Sequence, residues 1–572
     1  MIDFLTLMTA IARTKAGFSN AAPGIDPNKA TEIESSFTNS DMLTIGALYL
    51  HLFEHAGSSD VEIVYLEDAS ALRAGMSDLF QRVGKVRATA EQLSQTPPSP
   101  EKYDILKSVL DDSKDLEGIA KTILDKSQKL LDKLKPTDYL ETHPINLEIS
   151  NWSWHELLIA RRTGAFVSNL EQAAINQAPN NDEARAFVHG AFISYATHAV
   201  GSTYINDAVG GARRSHPYRQ KLARNTVGAW YRVNFPGETL SLNELRDLVI
   251  RVKDEPAKVT LIEKLIADAL KTTYPQLANK PIPDVEAAIS SMAHHLDLLT
   301  SFSPLALPPL TPVAVQMKIE ESGARGEVDT QLKPATFNQQ YVAPPGSFTD
   351  NNPVKDNEWY DWVLFPCQAV VWILGKIVEA LNWIGVKIGL IDQNSPTASS
   401  QVQALVTSKD YYVLIDLFAR LQYKLHQSGA DALTALKLLG LLYPDEIDLA
   451  EPPFRTFTVL LRDAFRFHLP VNPHTEYLGY PQSPEELPPS LQSPSRYKDS
   501  PEIFLKPNPN YKKTVESFAL ELLVDSLASE FSPSQVNLNL DADRGFTDPC
   551  WELRPPIGVY PMIISRLNYN DI

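Results

Sequence analysis

Across 572 residues the chain carries only two cysteines, Cys367 and Cys550, far apart in sequence. That excludes a disulfide framework and leaves both as small apolar residues. Positive charge is also scarce. Fifty-two Lys and Arg stand against 70 Asp and Glu, a net charge of −18. An acidic chain gains nothing electrostatically from nucleic acid, so no nucleic-acid partner is expected. Nor is the chain as a whole drawn to an anionic membrane, although a local basic patch can be. No nucleophile-elbow pattern is present, and neither cysteine sits in a reactive context, which argues against serine and cysteine hydrolases. There is no internal repeat. The N-terminus places Asp3 where a secretory signal needs positive charge. No signal peptide is read, and the expected location is cytoplasmic, with peripheral membrane association as the variant.

What is present is helical patterning. Hydrophobic residues make up 44% of the chain, enough for a sizeable core. Residues 41–56 read as an apolar helix. Residues 66–95 and 101–135 read as a long hairpin broken at Thr96-Pro97-Pro98-Ser99-Pro100. Residues 152–178 form the next helix, in which Arg161 and Arg162 read as a solvated face or a capping pair, with ligand binding as the alternative. The segment from Ala191 to Tyr204 is apolar and rich in small residues, the composition of a central helix. Gly210-Gly211 then supplies a turn, and a second helix starts at His216-Pro217. Residues 243–273, interrupted at Pro256, and 284–302 are further helices.

The later half changes character. Forty-two prolines are concentrated late in the chain. Residues 303–357 read as a Pro-rich linker or draping loop. Residues 362–391 form an apolar, Trp-rich helix with Trp362, Trp372 and Trp383, next to Trp359. Its length matches a bilayer, but Lys376, Glu379 and Lys387 interrupt it. Buried, interfacial and membrane-spanning readings stay open; the charges favour packing on the protein's own helices, with no obligate transmembrane span. A helical pair follows at 409–427 and 430–443. From 444 to 572 the chain is irregular and Pro-rich, with one helix around 512–530.

Several residues are candidates for chemistry. Arg213, Arg214, Arg219 and Arg224, with Lys221, form the most basic patch and suit a phosphate, because guanidinium matches it with a planar fork. The bland reading pairs them with the chain's many acids. His51-Leu52-Phe53-Glu54-His55 is formally an inverted zinc-protease motif, or else an ordinary helix end. His294 and His295 are adjacent and point to different faces.

The stretch from Gly201 to His216 resembles the bacterial zinc-dependent phospholipase C family. Its Tyr204-Ile205-Asn206 and Val209-Gly210-Gly211-Ala212-Arg213-Arg214-Ser215-His216 follow the frame of the family's central hairpin. Arg162-Thr163-Gly164-Ala165-Phe166 is similar to a second family segment, and Gly46-Ala47-Leu48-Tyr49-Leu50-His51 to a third. The resemblance covers about half the chain, in pieces. It implies an all-α, multi-helix phospholipase C-like bundle over 1–302, with the hairpin at about 60–140 as an insertion. It also implies lost zinc ligands. Ser194 and Ser202 stand where histidines belong, His198 and His51 where aspartates belong, and Ile159, Ala165, Gln220 and Arg224 at other ligand positions. Serine, isoleucine, alanine and glutamine ligate zinc poorly, and Arg224 places a fixed cation there. The expectation is a non-catalytic binding protein for a phospholipid surface or a protein partner, with no cofactor. The alternative is an active zinc-dependent phosphoester hydrolase with reassigned ligands from His51, His155, His189, His198 and His216.

Overall fold

The computed structural model describes residues 2–21, 25–56, 61–95, 100–134, 149–209, 217–332, 408–455, 457–458, 515–525 and 540. Every regular element among them is helical and none is a strand. The Trp-rich segment 362–391 lies outside the described residues. Among the described residues, no helix is long and apolar enough to cross a membrane.

The fold is centred on α9, Asp182–Val209. Its sequence is apolar on all sides, which places a helix in the interior rather than on the surface. From Ala186 to Ser202 each residue is buried. Thr197 Oγ1, buried within it, donates to the Ile193 carbonyl one turn earlier at 2.7 Å. Small residues bring neighbours close. The short α3, Ser40–Ala47, crosses α9 where Gly46 and Gly190 face backbone. A Cβ added to Gly46 would lie 2.0 Å from the Phe187 carbonyl oxygen. Around α9 also pack α2 (Pro27–Thr38), α8 (Thr163–Gln177) and α10 (Pro217–Asn234).

The expected single helix over 41–56 is two, because α4 (Tyr49–His55) restarts after Leu48 leaves helical geometry at ψ 8°. The helix expected over 152–178 is likewise divided into α7 (Trp154–Ala160) and α8. The break is Arg162, held in the left-handed region at φ 51°. Arg161 is buried, not solvated, with its guanidinium 4.5 Å from the Trp152 ring. Its carbonyl accepts from Tyr274 Oη at 2.6 Å.

The long hairpin is formed by α5 (Val61–Gln95) and α6 (Pro100–Leu134), antiparallel, with Tyr65 Oη donating to the Lys133 carbonyl. On α5, Leu66, Ala69, Leu72, Met76, Leu79 and Val83 make the buried stripe at helical spacing. Helices α11 (Leu242–Lys253), α12 (Pro256–Thr273) and α13 (Val285–Ser301) follow, with Pro256 opening α12. Beyond them, residues 303–312 run across the hairpin. Arg87, 4% exposed, donates to the Pro309 carbonyl and to Thr311 Oγ1, and so ties this strap down.

Two expectations for the later chain differ from the structure. The linker or loop expected over 303–357 contains α14 (Val313–Glu321) and α15 (Ala324–Leu332). Val315, Ile319, Ala324 and Val328 are buried there, a short seam that the surrounding prolines obscure in sequence. The pair expected at 409–427 and 430–443 is one helix, α16 (Ser408–Leu438), running straight through Gly429. It packs along α5, where Gly84 makes room for Gln422. The short α17 (Pro452–Arg455) and the final α18 (Val515–Asp525) complete the described helices, α18 lying against α1 (Phe4–Ala21) and α9.

Candidate functional site

A cluster of interior charge draws on α1, α4, α5, α9 and α10. It begins with Asp3, 3% exposed, which caps α1. Its carboxylate accepts from the Leu5 and Thr6 amides at 2.9 and 3.1 Å and from Thr6 Oγ1 at 2.6 Å. Tyr443 Oη reaches the same carboxylate at 3.4 Å. Burial raises the Asp3 pKa, against its hydrogen bonds with Thr6 and the charge of Arg224.

Arg224, from α10, is 7% exposed. Its Nη2 lies 3.3 Å from Glu62 Oε1, and Lys221 pairs with the same oxygen. Burial lowers the Arg224 pKa, but Glu62 and Glu54 outweigh it, and the guanidinium stays charged.

His51 sits beside this group. Its Nδ1 is 3.0 Å from Glu54 Oε2 and its Nε2 is 3.1 Å from the Ile2 carbonyl. Both partners are acceptors, so the ring satisfies them together only as an imidazolium. Burial opposes that charge and lowers the His51 pKa, with Glu54 pulling the other way. Burial alone would raise Glu54, but the hydrogen bond from His51 and the neighbouring cations hold it well below the usual range.

The His51 and His198 ring centroids are 6.3 Å apart. His198 Nδ1 is 2.9 Å from the Ser194 carbonyl, one helical turn earlier, which fixes the proton on that nitrogen. Its Nε2 is buried and meets no hydrogen-bond partner among the described residues. Burial pushes the His198 pKa well below its ordinary value, so the ring is a weak base at neutral pH.

The residues singled out in the sequence therefore meet only in part. His51, His198 and Arg224 share one interior, and His155 acts on Glu54 electrostatically. Ser202 Oγ donates to the Leu540 carbonyl and Leu540 N donates to the Ile159 carbonyl, so Ser202 and Ile159 flank one backbone segment. His189 is nine residues before His198 on α9, about 13 Å along the axis. It faces a different hollow, with Glu171 and Arg185. Arg219 is buried, and Arg213, Arg214 and His216 lie outside the described residues. The inverted protease motif does not converge on one point. His55 Nε2 faces His295 Nδ1 at 3.4 Å, while His51 turns to Glu54 and Ile2. His294 turns away to Glu67 at 2.9 Å.

Sequence reasoning missed Asp3 and Glu62. Asp3 had a signal, since Asp-x-x-Thr opening an apolar run is a helix start. Glu62 had none, because its partners are 159 and 162 residues away.

Among the described residues, the donors gathered here make a poor zinc site. Both His51 nitrogens are engaged, His198 offers one, and Arg224 brings positive charge to the place where a metal would need anionic donors. Compared with family models, curated proteins and solved structures, the chain finds no match in any of the three.

Proposed function

We propose that the chain is a non-catalytic binding protein on a phospholipase C-like helical scaffold, its former metal centre replaced by a buried network of fixed charges. The observation that carries this reading is the Arg224–Glu62 pair. A guanidinium is permanently charged and supplies in place the cation that a ligand set would otherwise recruit. Glu62, Glu54 and Asp3 are then already balanced without an ion. A surface for a phospholipid or protein partner is supported by the strap and α14. Leu310 is 88% exposed, with Leu307, Val313 and Met317 also strongly exposed beside it.

Elemental analysis of the purified full chain, together with hydrolysis of a short-chain phosphatidylcholine, tests the proposal. The expected result is zinc far below one per chain and no turnover.

A second reading is kept because His198 Nε2 carries a buried lone pair near His51. It is a hydrolase with reassigned histidine ligands. Stoichiometric zinc, and turnover abolished by His198→Ala, would establish that reading and remove the first.

A further inference from the structure

Away from the charge network, an apolar cleft opens to solvent. It lies between α5, α6, α16 and residues Phe302–Leu305, with about 670 Å³ of free space when its opening to solvent is included. Small residues line it: Ala69 on α5, Ser127 on α6, and Gly429 and Ala432 on α16. Leu305 closes one side against Gly429, its Cδ1 standing 3.0 Å from where a Cβ on Gly429 would be. The Leu305 carbonyl is fixed by His426 Nδ1 at 2.9 Å, so this wall is held in place.

The lining is otherwise mostly apolar, with Ser127 and Ser303 as its hydroxyls. Among the described residues, Arg73 is the single charged residue facing the space. Its Nε donates to the Ser303 carbonyl at 2.8 Å and its Nη2 to Ser303 Oγ. Those two bonds orient the guanidinium and use two of its five N–H groups. The rest are available to an acceptor at the edge of the cleft, in the fork geometry that a carboxylate matches.

We propose that this cleft binds a single-chain amphiphile with an anionic head, its aliphatic tail lying between α5, α6 and α16 and its head on Arg73. A tail suits walls made of leucine and methionine, and a cation at the edge selects the sign of the head. The site is separate from the Arg224 network and does not depend on that reading.

Isothermal titration of the full chain with hexanoate, octanoate and decanoate, all below their micelle concentrations, tests this. Binding should be one to one and tighten by about tenfold for each two carbons added. Decanol should bind about tenfold more weakly than decanoate, and decyltrimethylammonium more weakly still. Arg73→Gln should weaken decanoate to the level of decanol and leave decanol unchanged. Ala432→Phe should abolish binding by filling the space. Ser127→Leu, which fills it from the opposite helix, serves the same purpose should the first variant not fold. The proposal is overturned by affinity that does not depend on chain length, or by equal binding of the cationic and anionic heads. It is equally overturned by a folded filled variant that binds as the parent does, or by no binding at all.

Discussion

Gly190 on α9 lies so close to Leu43 on α3 that a Cβ at Gly190 would stand 2.0 Å from the Leu43 carbonyl oxygen. The obstacle is backbone, which cannot swing aside as a side chain can. Gly190→Ala therefore forces the two helices apart and should cost about 3 kcal/mol in urea unfolding. Gly118→Ala on α6 is the control, since nothing stands within 4 Å of its added methyl. It should instead stabilise by about 0.5–1 kcal/mol through helix propensity. Equal effects at the two glycines would contradict the close approach.

The buried pair makes a second prediction. Glu62 faces both Arg224 and Lys221, so Glu62→Gln removes two ion pairs, whereas Arg224→Met removes one. Breaking a buried pair from one side costs about 3–5 kcal/mol. The Glu62 variant should be the worse of the two, and the double variant should recover part of the loss. Equilibrium unfolding of the three variants measures the coupling. Strict additivity would show that the pair does not hold the interior together.

How much was legible followed from what each signal encodes. Periodicity and small-residue composition marked α9 as central, because burial on all sides leaves a visible pattern. The start of α10 at Pro217 and the break before Pro256 were readable because proline acts locally. Breaks that depend on tertiary context were not. Arg162 enters the left-handed region within a helical sequence, with the Arg161 carbonyl held by Tyr274 from far along the chain. Gly429 reads as a stop, yet α16 continues because Leu305 packs against it. In the site, His51, His198 and Arg224 were named from sequence. Their partners were not, since an ion pair such as Arg224–Glu62 is set by how helices cross rather than by spacing.

His189 gives a pH dependence. Burial, assisted by Arg185, lowers its pKa to about 3. An unfolded histidine takes up its proton near pH 6.5, so below that value the unfolded chain binds more protons than the folded one. The stability from His189 is thus complete above about pH 6.5 and lost as pH falls toward 3, by at most about 1.4 kcal/mol per pH unit. His51 and His198 add loss of the same sign. In His189→Phe the slope of unfolding free energy against pH between 6.5 and 4 should be visibly shallower. An unchanged slope would mean that His189 is protonated in the folded chain.

Glu171 works in the opposite sense in the same hollow. Burial raises its pKa to about 8, with Lys29 opposing. A carboxyl raised in the folded state favours folding fully below the unfolded value of about 4.5, and that advantage is lost as pH rises through 8. Above pH 8 the folded chain holds a poorly solvated carboxylate that the unfolded chain leaves in water. Glu171→Gln keeps the shape and removes the ionisation. It should stabilise the protein by about 1–2 kcal/mol at pH 8.5 and make little difference at pH 4.5. Thermal unfolding of the two proteins at both pH values decides it. A gain at pH 4.5 as large as at pH 8.5 would place the benefit in packing, and Glu171 would then titrate like an ordinary surface acid.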